Sequence, residues 1–158
     1  MKVALLSIIP KYVEKIFSGK KRYEFRKSIF KDTSVLKIYI YSTSPVKRIV
    51  GAFRIGRIIE DHPKLLWEQF YKFSGATYPE FFAYFADVEK GFAIEIKEVE
   101  KFDNPIDPKK FIPNFVPPQS FYYVDYNLFP TKGVKEGILP SPNNFPLSLY
   151  KFAIGKGD

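Results

Sequence analysis

The 158-residue sequence contains no cysteine and a single histidine, His62. The lack of cysteine excludes disulfide bonds, thiol catalysis and zinc sites built on thiolates. One histidine excludes a multi-histidine metal centre, and we expect neither a metal nor another cofactor. No apolar run approaches the roughly 20 residues that span a bilayer, and the first ten residues lack a signal-peptide pattern. These absences predict a cytoplasmic protein that does not contact a membrane.

Acidic residues are scarce relative to basic ones. The chain has 17 Asp and Glu against 25 Lys and Arg, giving a net charge of +8 and a pI of about 9.5. A field of that sign attracts polyanions such as nucleic acid. Any one of these Lys and Arg residues, taken alone, is explained by an ordinary solvated protein surface. However, eight of them cluster between residues 11 and 31. The clustering favours RNA, single-stranded nucleic acid or a nucleotide as partner, and leaves the oligomeric state open.

The hydrophobic pattern predicts an α+β domain with strands and short helices. A continuous apolar run over 2–9 predicts a buried strand. Pro10 suits the first turn of a helix with one apolar stripe (Val13, Ile16, Phe17), and Gly19 suits its end. Further strands are predicted over 21–27, 36–41, 48–59, 92–97 and 121–124. Five or six short strands with inserted helices favour a small mixed β-barrel, because closure removes exposed sheet edges.

Two more helices are predicted in the middle of the chain. The first follows a cap at Asp61 or His62 and buries Leu66, Phe70 and Phe73. The second begins with a Thr-x-x-Glu capping box over 77–80 and buries Phe81, Phe82 and Phe85. Trp67 is expected to pack in the core. Gly51 and Gly56, inside the long strand, predict a bulge or the close approach of another backbone or ligand.

Proline and glycine divide the C-terminal part of the chain. Five prolines between 104 and 118 predict a loop or an extended stretch without regular helix. Residues 127–158 are rich in Pro and Gly, and are expected to form an extension in which 147–154 docks on the domain. The aromatic residues of this extension also leave open a role in protein interaction.

A family resemblance appears near the N-terminus. The stretches 7–12 and 16–26 resemble the ASCH domain signature, whose core Gly-x-Lys-x-x-Glu-x-Arg is met by Gly19, Lys21, Glu24 and Arg26. Further similarity lies in 40–45, 49–53 and 117–121, so the resemblance covers roughly residues 2–125. It implies a PUA-like barrel over residues 1–126, with a cleft lined by the signature residues.

The resemblance implies a nucleic-acid-binding module, above all for RNA, that acts in translation or transcription control. Some relatives are amidohydrolases of acylated cytidine nucleosides and others are ribonucleases, so hydrolysis by Lys21 and Glu24 is the alternative. In the amidohydrolases a threonine, three residues after the signature lysine, works with a distant glutamate. Here that position is Glu24, which counts against this activity. Glu95 and Glu98 are the candidates for the distant carboxylate.

The candidate nucleic-acid contacts combine charge, hydroxyl and amide groups. Alternation along the strand places Arg22, Glu24 and Arg26 on one face, where an exposed salt bridge is the alternative role. Arginine offers a planar fork to phosphate or base, lysine a point charge. The strand end at 41–43 either provides a polar wall for a nucleotide or forms only a turn that uses the Ser and Thr hydroxyls. The full set is Lys20, Lys21, Arg22, Glu24, Arg26, Tyr41, Ser42, Thr43, Arg48, Gln119 and Ser120.

Overall fold

A computed structural model describes residues 2–125 as a mixed six-stranded sheet with three short helices. The order of the strands in the sheet is β2-β5-β4-β3-β1-β6. β1 and β3 are parallel, and every other neighbouring pair is antiparallel. The strands are β1 (Lys2–Ile8), β2 (Tyr23–Arg26), β3 (Lys37–Ser42), β4 (Arg48–Asp61), β5 (Gly91–Ile106) and β6 (Phe121–Asp125). The helices are α1 (Pro10–Phe17), α2 (Pro63–Phe70) and α3 (Tyr78–Tyr84).

The predicted extension over 127–158, with its docking segment, lies outside the described residues. No helix within residues 2–125 has the length and apolar character needed to cross a membrane.

The first strand and helix follow directly from the sequence. Pro10 is the first residue of α1, and Val13 and Ile16 are buried in the core against the sheet. Gly19, with φ at +81°, turns the chain back toward β2. This turn carries the signature residues to the edge of the sheet.

The α+β class and the mixed sheet of six strands are confirmed, but the sheet does not close into the predicted barrel. β2 is only four residues long, and within residues 2–125 it and β6 remain the two edges of the sheet. Side chains cross the gap instead. Arg26 donates from Nη2 to the Ser120 carbonyl at 2.7 Å, and the rings of Phe30 and Phe121 pack edge to face with centroids 5.6 Å apart.

The predicted close approach at Gly51 is present. A Cβ at this position would lie 2.3 Å from the Glu100 carbonyl oxygen of the neighbouring strand and 2.8 Å from Cζ of Phe17. The β4–β5 register shifts between Ile49 and Gly51 and again between Ile55 and Ile58, around Gly56. Gly51 therefore lies where β4 passes closely under α1, and both glycines lie at register shifts between β4 and β5.

β5 continues past the predicted strand end at residue 97, through Pro105 to Ile106, because Ile106 is buried and pairs with Ile49. One prediction about α2 is wrong. Phe73 is 43% exposed rather than buried, because α2 ends at Phe70 and the chain continues as a 3-10 turn over Tyr71–Phe73.

The predicted helix caps are confirmed. His62 accepts a hydrogen bond from the Lys64 backbone N–H at 3.1 Å, and Thr77 and Glu80 form the capping box of α3. α2 and α3 then cover the end of the sheet formed by β2 and β5 with a cluster centred on Phe25, Leu66 and Phe81. This cover creates a cavity between α1, β2 and α3.

Candidate functional site

The cavity has a volume of about 300 Å³ and combines an apolar surface with buried charge. Ile8, Ile9, Phe25 and Phe81 form much of the apolar surface. The polar side chains are Ser7, Tyr12, Lys21, Glu24, Arg26, Glu80 and Tyr84. The structure thus brings Lys21, Glu24 and Arg26 of the signature into one cavity wall.

Lys21 is held in place by segments that are distant in sequence. Its side chain is 3% exposed, and its Nζ donates to the Ser74 carbonyl at 2.7 Å. Nζ also lies 3.5 Å from Oε1 of Glu24 and 5.2 Å from the centre of the Tyr12 ring. Burial lowers the pKa of Lys21, and the Glu24 carboxylate opposes this shift. The site therefore contains an amine that gives up its proton more readily than an exposed lysine.

Glu24 lies between two cations. Its Oε2 is 3.6 Å from Nη1 of Arg26, and its side chain is 8% exposed. Arg26 in turn donates to the carbonyls of Ser7, at 3.4 Å, and Ser120, at 2.7 Å. The distances from the Glu24 carboxylate to Lys21 and to Arg26 both exceed the 2.7–2.9 Å that is typical of charge-assisted hydrogen bonds. Glu24 consequently retains capacity to accept a hydrogen bond from a ligand.

Arg22 does not share the site with Glu24 and Arg26 as predicted. Its side chain is exposed, and its guanidinium carbon lies 5.0 Å from the centre of the Phe73 ring. Regular pairing of β2 begins only at Tyr23, and the Arg22 backbone bonds with both Phe73 and Ile96. The alternation expected over 21–27 therefore fails at its first residues, and Lys21 turns inward in place of Arg22.

The rim of the cavity also includes Tyr12 and Glu80, which were not among the predicted contacts. Tyr12 donates to Oε2 of Glu80 at 2.5 Å, and Nζ of Lys11 lies 2.6 Å from the same oxygen. Hydrogen bonds from Lys11, Tyr12 and Thr77 lower the pKa of Glu80 to about 2. Burial, together with Glu80, raises the pKa of Tyr12. In the sequence, these two rim residues are distinguished only by the position of Tyr12 in the family-like stretch 7–12 and of Glu80 in the capping box.

Tyr84 closes the rim on the other side. Its hydroxyl accepts from the Lys27 backbone N–H at 3.2 Å, and burial raises its pKa. Nothing in the local sequence distinguishes this tyrosine from others on a helix surface, since its position depends on the packing of α3 against β2.

A second cavity of about 590 Å³ contains three other predicted contacts: Tyr41, Thr43 and Arg48. Lys47, Lys109 and Phe115 also line it. Burial raises the pKa of Tyr41, whose ring centre lies 5.2 Å from that of Phe115. The Thr43 backbone N–H donates to the carbonyl of Ile8, a residue that lines the first cavity.

The remaining predicted contacts line neither cavity. Ser42 and Ser120 are buried, and the Ser120 hydroxyl lies 3.3 Å from that of Ser28. Lys20 and Gln119 are exposed side chains on the surface.

The candidates for a distant carboxylate also lie elsewhere. Glu95 pairs with Arg57 and Lys97, and Glu98 with Arg54, all at the surface of β4 and β5. In the part of the chain that the structure describes, no three His, Asp or Glu side chains are grouped so that they could hold a metal ion.

Comparison with known proteins gives consistent matches over the described part of the chain. Residues 3–115 match a family described as "Domain of unknown function (DUF365)". An "ASCH domain-containing ribonuclease" from Zymomonas mobilis subsp. mobilis is 30% identical over 129 residues, which are 78% of this chain and 84% of that protein. The "Large ribosomal subunit protein uL22" of Ureaplasma parvum serovar 3 is 25% identical over 107 residues, which are 68% of this chain but only 34% of that protein.

Solved structures agree in fold. The crystal structure of ASCH from Zymomonas mobilis has a TM-score of 0.74 at 29% identity, covering 80% of this chain and 90% of that one. A structure of a tyrosine-to-phenylalanine variant of the same protein has a TM-score of 0.73 at 28% identity, covering 81% and 94%.

Proposed function

Because the chain belongs to the ASCH domain family, we propose that it binds single-stranded RNA and holds one nucleotide in the cavity of Lys21, Glu24 and Arg26. The observation that carries the proposal is the convergence of two cations and a carboxylate on one cavity wall. The relative named as a ribonuclease supports RNA as the class of ligand.

The cavity has the size and chemistry to accept a nucleotide base. Its volume of about 300 Å³ is at the lower end of the range of small-molecule sites. Rings and aliphatic side chains provide surface for stacking, as in single-stranded RNA recognition. Glu24 accepts hydrogen bonds from an exocyclic amino group, and the Arg26 fork faces a base edge or phosphate. Exposed Lys20, within the signature, and Lys27, directly after it, contact the RNA backbone.

Measurement of RNA affinity tests this proposal. Fluorescence anisotropy with a labelled single-stranded RNA at low salt should show weaker binding for Glu24→Gln, which keeps the shape of the side chain but removes its charge. Arg26→Lys, which keeps the charge but loses the fork, should also bind more weakly. Lys90→Ala, which removes an exposed cation paired with Glu60 on the surface, is the control. Absence of RNA binding by the wild-type protein would overturn the proposal.

Cleavage of the bound RNA is a second candidate, which two observations favour: the lowered pKa of Lys21 and the name of the relative. In this reaction the unprotonated Lys21 amine removes the proton of a ribose 2′-hydroxyl, and O2′ attacks the adjacent phosphorus. The bond to the 5′ oxygen breaks, and that oxygen takes a proton from solvent. The products are a cyclic phosphate and a free 5′-hydroxyl.

The cleavage hypothesis is tested separately from binding. Wild-type protein should cut RNA but not an oligonucleotide with a 2′-deoxy sugar at the cut site, and Lys21→Met should abolish the cut even at RNA concentrations that saturate the variant. Turnover unaffected by Lys21→Met would eliminate this role of the amine.

A further inference from the structure

A group of aromatic rings lies on the outer surface of the domain, outside both cavities. The rings of Trp67, Tyr71, Tyr78 and Phe82, which we call the aromatic platform, are linked by ring contacts. The Trp67 ring centre lies 5.8 Å from that of Tyr71 and 5.6 Å from that of Tyr78. Tyr78 is 60% exposed and Tyr71 47%, so large apolar faces meet solvent. Contiguous exposed apolar surface of this kind marks an interaction site.

Exposed cations contact or belong to the same stretch of chain as these rings, residues 64–78. The Arg22 guanidinium is stacked on Phe73, with 5.0 Å between its carbon and the ring centre. Lys64 and Lys72 are also exposed, on α2 and the turn after it, whereas the only exposed acidic side chain within the Lys64–Tyr78 stretch is Glu68. Exposed rings combined with Arg and Lys are typical of surfaces on which single-stranded nucleic acid stacks its bases.

The platform is continuous with the cavity through a short piece of chain. Ala76 lines the cavity and Tyr78 belongs to the platform, with only Thr77 between them. Gly75 and Ser74 of the same loop accept hydrogen bonds from Lys15 and Lys21 at 2.7 Å each. A single residue of chain thus separates a residue that lines the cavity from a residue of the platform.

We propose that the aromatic platform is a second RNA-binding surface, on which bases next to the nucleotide in the cavity stack against Tyr78 and Tyr71. This inference rests on the proposed function, since it extends the path of the same RNA strand. Arg22 lies away from the cavity, over the ring of Phe73, which follows Tyr71 of the platform by two residues.

Trp67 provides a built-in reporter, because it is the only tryptophan of the chain and contacts both exposed tyrosines. A ten-nucleotide single-stranded oligoadenylate should change Trp67 fluorescence in the wild-type protein. An oligonucleotide of the same length that keeps one base for the cavity, and has abasic sites on both sides of it, should leave Trp67 fluorescence unchanged. A fluorescence response that is equal for both would overturn stacking on the platform.

Affinity measurements separate this inference from the proposed function. Tyr78→Ala and Tyr71→Ala should each weaken binding of the ten-nucleotide strand about 5- to 150-fold, the range reported for loss of one stacked base. Tyr78→Phe, which keeps a ring, should restore affinity, and Leu65→Ala on α2 is the matched control, since Leu65 is exposed but absent from the ring contacts.

The outcomes are distinct. If the tyrosine variants bind as well as wild type while Glu24→Gln binds weakly, the platform is overturned and the cavity proposal stands. If the wild-type protein binds no RNA, both fall.

Discussion

Lys21 is a cation placed where solvent cannot stabilise it. Its charge is compensated by the Ser74 carbonyl at 2.7 Å and the Glu24 carboxylate at 3.5 Å. Burial of a charge without such partners is costly. The counter-charge keeps the site folded, while burial lowers the pKa of the amine. A structural and a chemical role are thereby combined in one residue.

The lowered pKa of Lys21 predicts a pH-dependent stability. Below its ordinary value of 10.5, the unfolded chain binds this proton more tightly than the native protein does. The contribution of Lys21 to the free energy of unfolding should therefore rise as pH rises toward 10.5, and fall as pH falls through the native pKa. Urea unfolding between about pH 7 and about pH 9, where tyrosines of ordinary pKa stay largely protonated, should show this rise relative to Lys21→Met. Lys90→Met is the control, and a difference between wild type and Lys21→Met that is independent of pH would contradict the prediction.

At the scale of elements, polar contacts join α1 to α3, and close packing joins α1 to the sheet. Glu80 of α3 receives hydrogen bonds from Tyr12 and Thr77 and pairs with Lys11 of α1. Gly51 lets β4 pass directly beneath Phe17 of α1. These contacts position α1 and α3 on either side of the cavity, so the elements set its width.

The contacts of Glu80 predict an acid-sensitive link between α1 and α3. Because its pKa is lowered from 4.5 to about 2, its stabilising contribution is complete above 4.5 and lost as pH falls toward 2. The free energy of unfolding of Glu80→Gln should therefore change less with pH in this range than that of the wild-type protein. The measurement is urea unfolding at several acidic pH values, with Glu68→Gln on α2 as a control that keeps the wild-type slope. Equal slopes for wild type and Glu80→Gln would show that the link does not contribute.

The two glycines around α1 should respond differently to a methyl group. Gly51→Ala places Cβ against the Glu100 carbonyl of a paired strand, and should cost about 3 kcal/mol, the upper part of the usual range for overpacking. Gly19→Ala meets no atom within 4 Å, but keeps a φ of +81°, and should cost about 1 kcal/mol. Chemical denaturation of both variants measures the difference. If Gly51→Ala lost less free energy of unfolding than Gly19→Ala, β4 and β5 would be able to move apart without loss of stability.

At the scale of the whole molecule, the net charge of +8 provides long-range attraction for RNA. The cavity and the aromatic platform lie on parts of the domain joined by residues 74–77. We therefore expect affinity to depend on both a general electrostatic component and a local stacking component. The first depends strongly on salt, because bound counterions are released from the RNA backbone.

The salt dependence gives a test of individual phosphate contacts. Each contact with single-stranded nucleic acid contributes about −0.7 to the slope of log affinity against log salt concentration. Lys20→Ala and Lys27→Ala should each reduce the slope by about that amount. Lys90→Ala should leave it unchanged. Titrations at several salt concentrations measure these slopes, and unchanged slopes for Lys20 and Lys27 would remove them from the RNA path.

The sequence by itself determined the local elements and the identity of the signature. The apolar run of β1, the proline and glycine that bound α1, and the capping box of α3 depend on neighbouring residues, and each lies where it was predicted. The resemblance carried by Gly19, Lys21, Glu24 and Arg26 indicated the family, and three of these residues line the cavity.

Only the tertiary structure decided which side chains meet. Lys21 bonds with a carbonyl 53 positions away, and Arg26 with one 94 positions away, and no local periodicity specifies such partners. The same packing directs Arg22 outward onto Phe73, extends β5 past Pro105 and leaves the sheet open between β2 and β6. Signature residues adjacent in sequence thus became a site because distant carbonyls and helices compensated the charges that folding buried.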